Sequence, residues 1–208
     1  MEQHTMELIG MVLVAVITAL VGPAGLEYVK AKLSKATSKD IVRDDIDRNL
    51  VIIDEIADIR ETLDGDRIWI CQFHNGGHFL HAHKSIQKFS ITYEDVKPGV
   101  SSVTYLFTDV PLSLYSRAMK HIMENRHLWI PNFKEASVAT CGLKTAAEAT
   151  GTAATYAIGL FDMETDKCIG TMGMDYRDPT KLTQDQKNLL IERGSRLSGY
   201  LSIYLKSK

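Results

Sequence analysis

The chain has 208 residues, enough for one domain of roughly 150 residues and a short additional segment. Hydrophobic residues make up 45% and charged residues 24%, a balance that excludes a disordered chain. With 24 basic and 26 acidic residues the formal charge is −2, which excludes the basic footprint of a nucleic-acid binder.

The first organised feature is apolar. From Leu8 to Leu26 run 19 residues without a charge, bounded by Glu7 and Glu27. As a helix rising about 1.5 Å per residue this run comes close to a bilayer core of about 30 Å. Gly22, Pro23 and Gly25 weaken its last turn, although lipid tolerates both residue types. A cleaved signal peptide competes with this reading, but Met1–Glu7 lacks the basic residues that such signals carry. Lys30, Lys32, Lys35 and Lys39 follow the run and no Lys or Arg precedes it. The expectation is therefore a single-pass membrane protein over 1–27, its N-terminus outside and its large domain in the cytoplasm, at a bacterial inner membrane. Residues 28–45 are polar and read as a linker, with Asp44, Asp45 and Asp47 as solvated charges rather than a carboxylate pair.

From Ile46 to Leu63 the spacing predicts a helix with two apolar stripes. Ile52, Ile56, Ile59 and Leu63 form one; Ile46, Leu50, Ile53 and Ala57 form the other. One stripe is expected to pack on the domain and the other to meet a partner helix, with Ile56 at the partner surface and a homodimer as the result. A stripe that is simply core is the plainer alternative. Arg67–His74 is then a nearly uninterrupted apolar run closed by Asn75-Gly76-Gly77, as a central strand and turn would be. Ile86–Glu94 alternates and reads as a half-wet strand, Lys97-Pro98-Gly99 as a turn, and Ser102–Thr108 as a further strand. Pro111 suits a first helical position, so Leu112–Asn125 reads as a helix, followed by a short strand over His127–Ile130.

Thr145–Thr150 reads as a short alanine-rich helix. Ala154–Asp162 and Cys168–Tyr176 read as a hairpin in which Gly159, Gly170 and Gly173 allow close packing or bulges. Thr183 and Gln186 stand at capping-box spacing before a long amphipathic helix through Tyr204. The order implies an α+β domain over 46–208 with a mainly antiparallel sheet and flanking helices.

At the hairpin the chain resembles a known family. The return strand Ile169-Gly170-Thr171-Met172-Gly173 and the helix approach Leu182-Thr183-Gln184-Asp185 are similar to the closing hairpin and helix of GAF domains. The opening helix and strand fit too, so the resemblance spans about 46–206 and implies a GAF-like antiparallel sheet. The stretch Cys71-Gln72-Phe73-His74-Asn75-Gly76-Gly77 also resembles small membrane-anchored GAF-like proteins of bacteriophages and some bacteria. GAF domains bind small molecules, cyclic nucleotides, tetrapyrroles or metals, or bind nothing and mediate dimers; fold alone does not choose among these.

Two sets of candidate residues follow. His74, His78, His81 and His83 lie within ten residues, and imidazoles so close together could hold a metal. Their spacing matches no zinc signature, and surface histidines in a loop are the plain alternative. His74 with Asn75 stands out because it closes an apolar strand, where ligand sites gather. The GAF resemblance implies a ligand between the sheet and its covering helices, with Phe73, Phe89, Tyr93, Tyr156 and Asp175 as wall candidates. It also places Cys141 where bilin-binding relatives attach their chromophore, but Gly142 stands where those relatives carry histidine, which argues against a covalent bilin.

The three cysteines, Cys71, Cys141 and Cys168, form no CxxC pair, which fits a reducing compartment and excludes a disulfide scaffold. Cys71 within its apolar strand reads as a core residue. No GxSxG, Walker or HExxH pattern occurs, so catalysis is not the expected role and no motif specifies a cofactor. The favoured expectation is a membrane-tethered GAF-type sensing or interaction module, dimeric, with a small-molecule ligand or protein partner. A phage holin-like or host-takeover membrane protein is the alternative, suggested by Gly10, Ala15 and Ala19 in the span. A small metal-dependent enzyme built on the histidine cluster is the third.

Overall fold

The structure, a computed structural model, describes residues 41–78, 85–135 and 142–206, together with Gly22 and Glu27. Among the described residues no helix is long and apolar enough to cross a membrane; Leu8–Leu26 lies outside them apart from Gly22. By its contacts the chain divides into two units, residues 1–48 and 49–208, and the second carries the whole sheet.

In chain order the elements are α1 (Ile41–Thr62), β1 (Arg67–His78), β2 (Ser85–Val96), a 3-10 turn at Thr104–Phe107, β3 (Val110–Pro111), and a second 3-10 turn at Leu112–Tyr115. Then come α2 (Ser116–Asn125), β4 (His127–Ile130), α3 (Gly142–Thr150), β5 (Ala154–Phe161), β6 (Cys168–Tyr176) and α4 (Gln184–Lys206). The six strands pair antiparallel in the order β3-β2-β1-β6-β5-β4. β1 and β6 are therefore central, and their neighbours cover both edges of each. That position explains why Ile68–Cys71 and Met172–Met174 are so uniformly apolar or small: both faces of a central strand are covered.

One face of the sheet meets the helices α1 and α4. Ile52, Ile56, Ile59 and Leu63 join Ile68, Ile70, Met172 and Met174 from the sheet and Leu190, Leu197 and Leu201 from α4 in one buried cluster. At the rim Arg193 ties the two helices together through Glu55 and, at 2.6 Å, Asp58. Burial alone would raise the Glu55 carboxyl, but hydrogen bonds and charge from Arg193 and Arg196 outweigh it and hold the group below the usual range. The second stripe of α1 is exposed, with Ile46 at 53%, Leu50 at 50% and Ile53 at 41%. Ile56, expected at a partner surface, is instead fully buried against the sheet.

Several boundaries differ from the sequence reading, each for a local reason. β1 runs past His74 to His78, because β2 goes on pairing through Asn75–Gln87 and His78–Ser85 across a bulge. Gly77 takes up that bulge at φ +61°, a conformation that costs glycine little. Ser102–Thr108 is not a strand: Glu94 accepts the Val103 N–H at 2.9 Å and the Thr104 hydroxyl at 2.8 Å, which curls the segment into its 3-10 turn. Pro111 ends β3 in extended conformation rather than opening a helix, so α2 starts only at Ser116. The capping box forms as read, with the Gln186 N–H donating to Thr183 Oγ1 at 3.3 Å and the Thr183 N–H to Gln186 Oε1 at 2.9 Å.

Candidate functional site

The register of the sheet assembles a row of unlike residues on its other face. Arg67 of β1 stands beside Asp175 of β6, and Asp175 beside Thr155 of β5. One step along, Trp69, Gly173, Ala157 and Leu128 lie side by side, and next to them Cys71 beside Thr171. Over these rows lie Ala118, Met119 and Ile122 of α2, and Ala146 and Ala147 of α3, bounding a cavity of about 90 Å³. The space is enough for several waters or one small organic molecule.

The cavity has two ends of different character. Phe73, Phe89, Phe107 and Tyr115 line one, with the Phe89 ring edge-on to Tyr115 at 5.2 Å and stacked on Phe107 at 6.5 Å. The other end is polar, lined by Thr150, Thr152, Thr155 and Asp175, while Thr171 lines the cavity two rows away beside Cys71. Thr155 Oγ1 donates to Asp175 Oδ1 at 2.8 Å, and Arg67 Nη1 to Asp175 Oδ2 at 3.3 Å. The Thr150 and Thr152 hydroxyls lie 2.9 Å apart. Asp175 is 8% exposed; burial pushes its carboxyl above the usual range, against the pull of Thr155, Arg67 and Trp69.

Small residues set the room available. A Cβ built on Gly173 would lie 2.2 Å from the Trp69 ring, so the indole lies flat across β6 only because position 173 has no side chain. Burial also pushes the Cys71 thiol far up, with the Asp175 charge adding to it, so Cys71 stays protonated. Iodoacetamide at about pH 8.5, where a free thiol is half ionised, is expected to leave Cys71 unmodified in the folded protein and to label it once denatured. Peptide mapping reads this, and rapid labelling of native Cys71 would contradict its burial.

Of the residues singled out from sequence, Phe73, Phe89 and Asp175 line this cavity. Tyr156 and Tyr93 lie on the opposite face. Tyr156 donates to the Thr180 carbonyl at 2.7 Å and accepts the Leu182 N–H at 3.1 Å, pinning the approach to α4, while Tyr93 donates to Asn49 at 2.6 Å. Tyr156→Phe is expected to cost about 1–3 kcal/mol in urea denaturation, because a buried N–H and a carbonyl lose their partner; an unchanged midpoint would refute that role. His74 and Asn75 lie far along β1. His74 Nε2 sits 2.9 Å from Ser90 Oγ and 3.6 Å from Asp109, and Asn75 accepts from Gln87 at 2.9 Å. His78 is exposed at the strand end, whereas His81, His83 and Cys141 lie outside the described residues. Among the described residues no group of three or more His, Cys, Asp or Glu side chains is arranged to hold a metal ion.

The threonines and Trp69 were not among the residues singled out. A signal for them exists: Thr155, Thr171 and Asp175 are polar residues that share one face of an otherwise apolar hairpin.

No family model matches the sequence, and neither does any curated protein. Solved structures do match. A GAF domain from Synechocystis in its photoproduct state aligns with TM-score 0.60 at 13% identity, over 76% of this chain and 95% of that one. A phycocyanobilin-bound GAF domain from a cyanobacterial phytochrome aligns with TM-score 0.57 at 12% identity, over 89% of this chain and 97% of that one. A domain of a two-component sensor histidine kinase protein from Sinorhizobium meliloti aligns with TM-score 0.55 at 16% identity, over 82% of this chain and all of that one. At such identities the likeness is one of fold: the described domain is GAF-like.

Proposed function

We propose that this chain is a membrane-tethered sensing module of the GAF type, whose cavity takes one small, largely apolar molecule. The observation that carries the reading is the cavity between the sheet and α2 and α3, apolar along its length and polar only around Asp175 and the threonines. An apolar pocket with a few convergent polar groups is the usual form of a small-molecule site. A bilin is not part of the proposal. At about 90 Å³ the cavity is well below the roughly 300–1,000 Å³ of drug-sized ligand pockets, and Gly142 follows Cys141.

The uncharged run Leu8–Leu26 and the lysines behind it support the anchor and a cytoplasmic domain. The exposed stripe Ile46, Leu50 and Ile53 supports a homodimer, with ligand occupancy passed to a second copy through α1. Output through a protein partner belongs to the same reading.

Calorimetry on the full chain in detergent tests the cavity. Benzyl alcohol and toluene are expected to bind, and Ala147→Met, which fills the space beneath α3, to abolish binding without lowering the melting temperature. Failure of both probes to bind the parent chain would overturn the reading. Sedimentation tests the dimer: Ile53→Lys is expected to give monomers, and an unchanged molecular mass would remove α1 from the interface.

A further inference from the structure

The polar end of the cavity carries an imbalance of charge. Two carboxylates share one guanidinium: Arg67 Nη1 lies 3.3 Å from Asp175 Oδ2, and Arg67 Nε lies 3.4 Å from Glu94 Oε1. All three side chains are buried, at 4%, 12% and 6% exposure for Arg67, Asp175 and Glu94. Glu94 is further satisfied by the Val103 N–H and the hydroxyls of Ser102 and Thr104. Arg67 does not line the cavity; its Nη1 is turned to Asp175 and Thr152 and its Nη2 donates to the Ser101 carbonyl at 3.0 Å. The charged group that a molecule inside the cavity meets is thus the carboxylate of Asp175, flanked by threonine oxygens that retain free lone pairs.

Resting on the reading of the cavity as a small-molecule site, we propose that its ligand is a small primary amine, whose ammonium pairs with Asp175 and whose apolar body lies over Trp69, in the next row of the sheet, beneath α2 and α3. The ammonium supplies the positive charge that the Arg67–Asp175–Glu94 set lacks. Its donors find Asp175 and the hydroxyl oxygen of Thr155, which stands beside Asp175 in the sheet, and a charged hydrogen bond away from water is stronger than its neutral counterpart. An anion would meet the Asp175 carboxylate first, since Arg67 does not line the cavity. A neutral alcohol would leave the imbalance in place.

Three probes of one shape decide the matter on the full chain by calorimetry at neutral pH: benzylamine, benzyl alcohol and benzoate. Benzylamine is expected to bind at least about tenfold more tightly than benzyl alcohol, a difference of about 1.4 kcal/mol, and benzoate not to bind measurably. Asp175→Asn is expected to bring the amine and the alcohol to within about threefold of each other; if that variant does not fold, the ranking on the parent chain stands by itself. Benzyl alcohol binding as tightly as benzylamine, or benzoate binding best, would overturn the amine while leaving the cavity reading intact. Failure of all three would end both.

Discussion

Leu197→Ala is expected to destabilise the domain by about 2–5 kcal/mol, among the largest single-site losses this fold can show. Leu197 is fully buried and belongs to the cluster that joins α1, the central strands and α4. Truncating it removes transfer free energy and leaves a void between elements that the sheet and α1 hold apart. The neighbouring side chains, Ile56, Met172 and Leu201, are themselves wholly buried and have little freedom to collapse into the gap. Thermal or urea unfolding reads the loss. A shift below about 1 kcal/mol would mean that the end of α4 is not docked as described.

Gly173→Ala is expected to cost about 1–3 kcal/mol by overpacking, and to close the cavity at the same time. The new methyl would meet the Trp69 ring at 2.2 Å, and a fused ring on a central strand cannot swing aside as the tip of a flexible chain would. The indole must lift off β6 into the space above it, the same space that a ligand would occupy. Stability and benzyl alcohol binding should therefore fall together. Trp69→Ala in the same background should restore part of the stability, since the two positions touch and their effects are not additive. If Gly173→Ala alone leaves both properties unchanged, Trp69 does not lie across β6.

The amino-acid order alone determined most of the elements and their order, although not the 3-10 turn at Thr104–Phe107 or β3. A stripe of Ile52, Ile56, Ile59 and Leu63 dictates a helix with one buried face, and a run such as Ile68–Cys71 dictates a central strand, because side-chain period and burial are tied together by backbone geometry. The Thr183–Gln186 capping box is local chemistry and forms as its spacing implies. The hairpin of β5 and β6 was legible for the same reason, and its GAF-like character through the resemblance of Ile169–Gly173 and Leu182–Asp185 to that family.

Which residues make the candidate site was a different matter. Periodicity shows that Tyr156 and Asp175 are both inside, but not that they lie on opposite faces of the sheet; only the pairing of β1, β6 and β5 decides that. The pairing puts Arg67, Asp175 and Thr155 in one row although they lie far apart along the chain, and no local pattern encodes such a meeting. His74 drew notice because it closes an apolar run, yet the strand continues past it to His78 on the strength of its partner β2. Ile56 shows the same limit: two apolar stripes were readable on α1, but the sheet beneath the helix chose which of them to bury. Local structure follows from neighbours in sequence, whereas a cavity follows from neighbours in space, and those are set by register and packing.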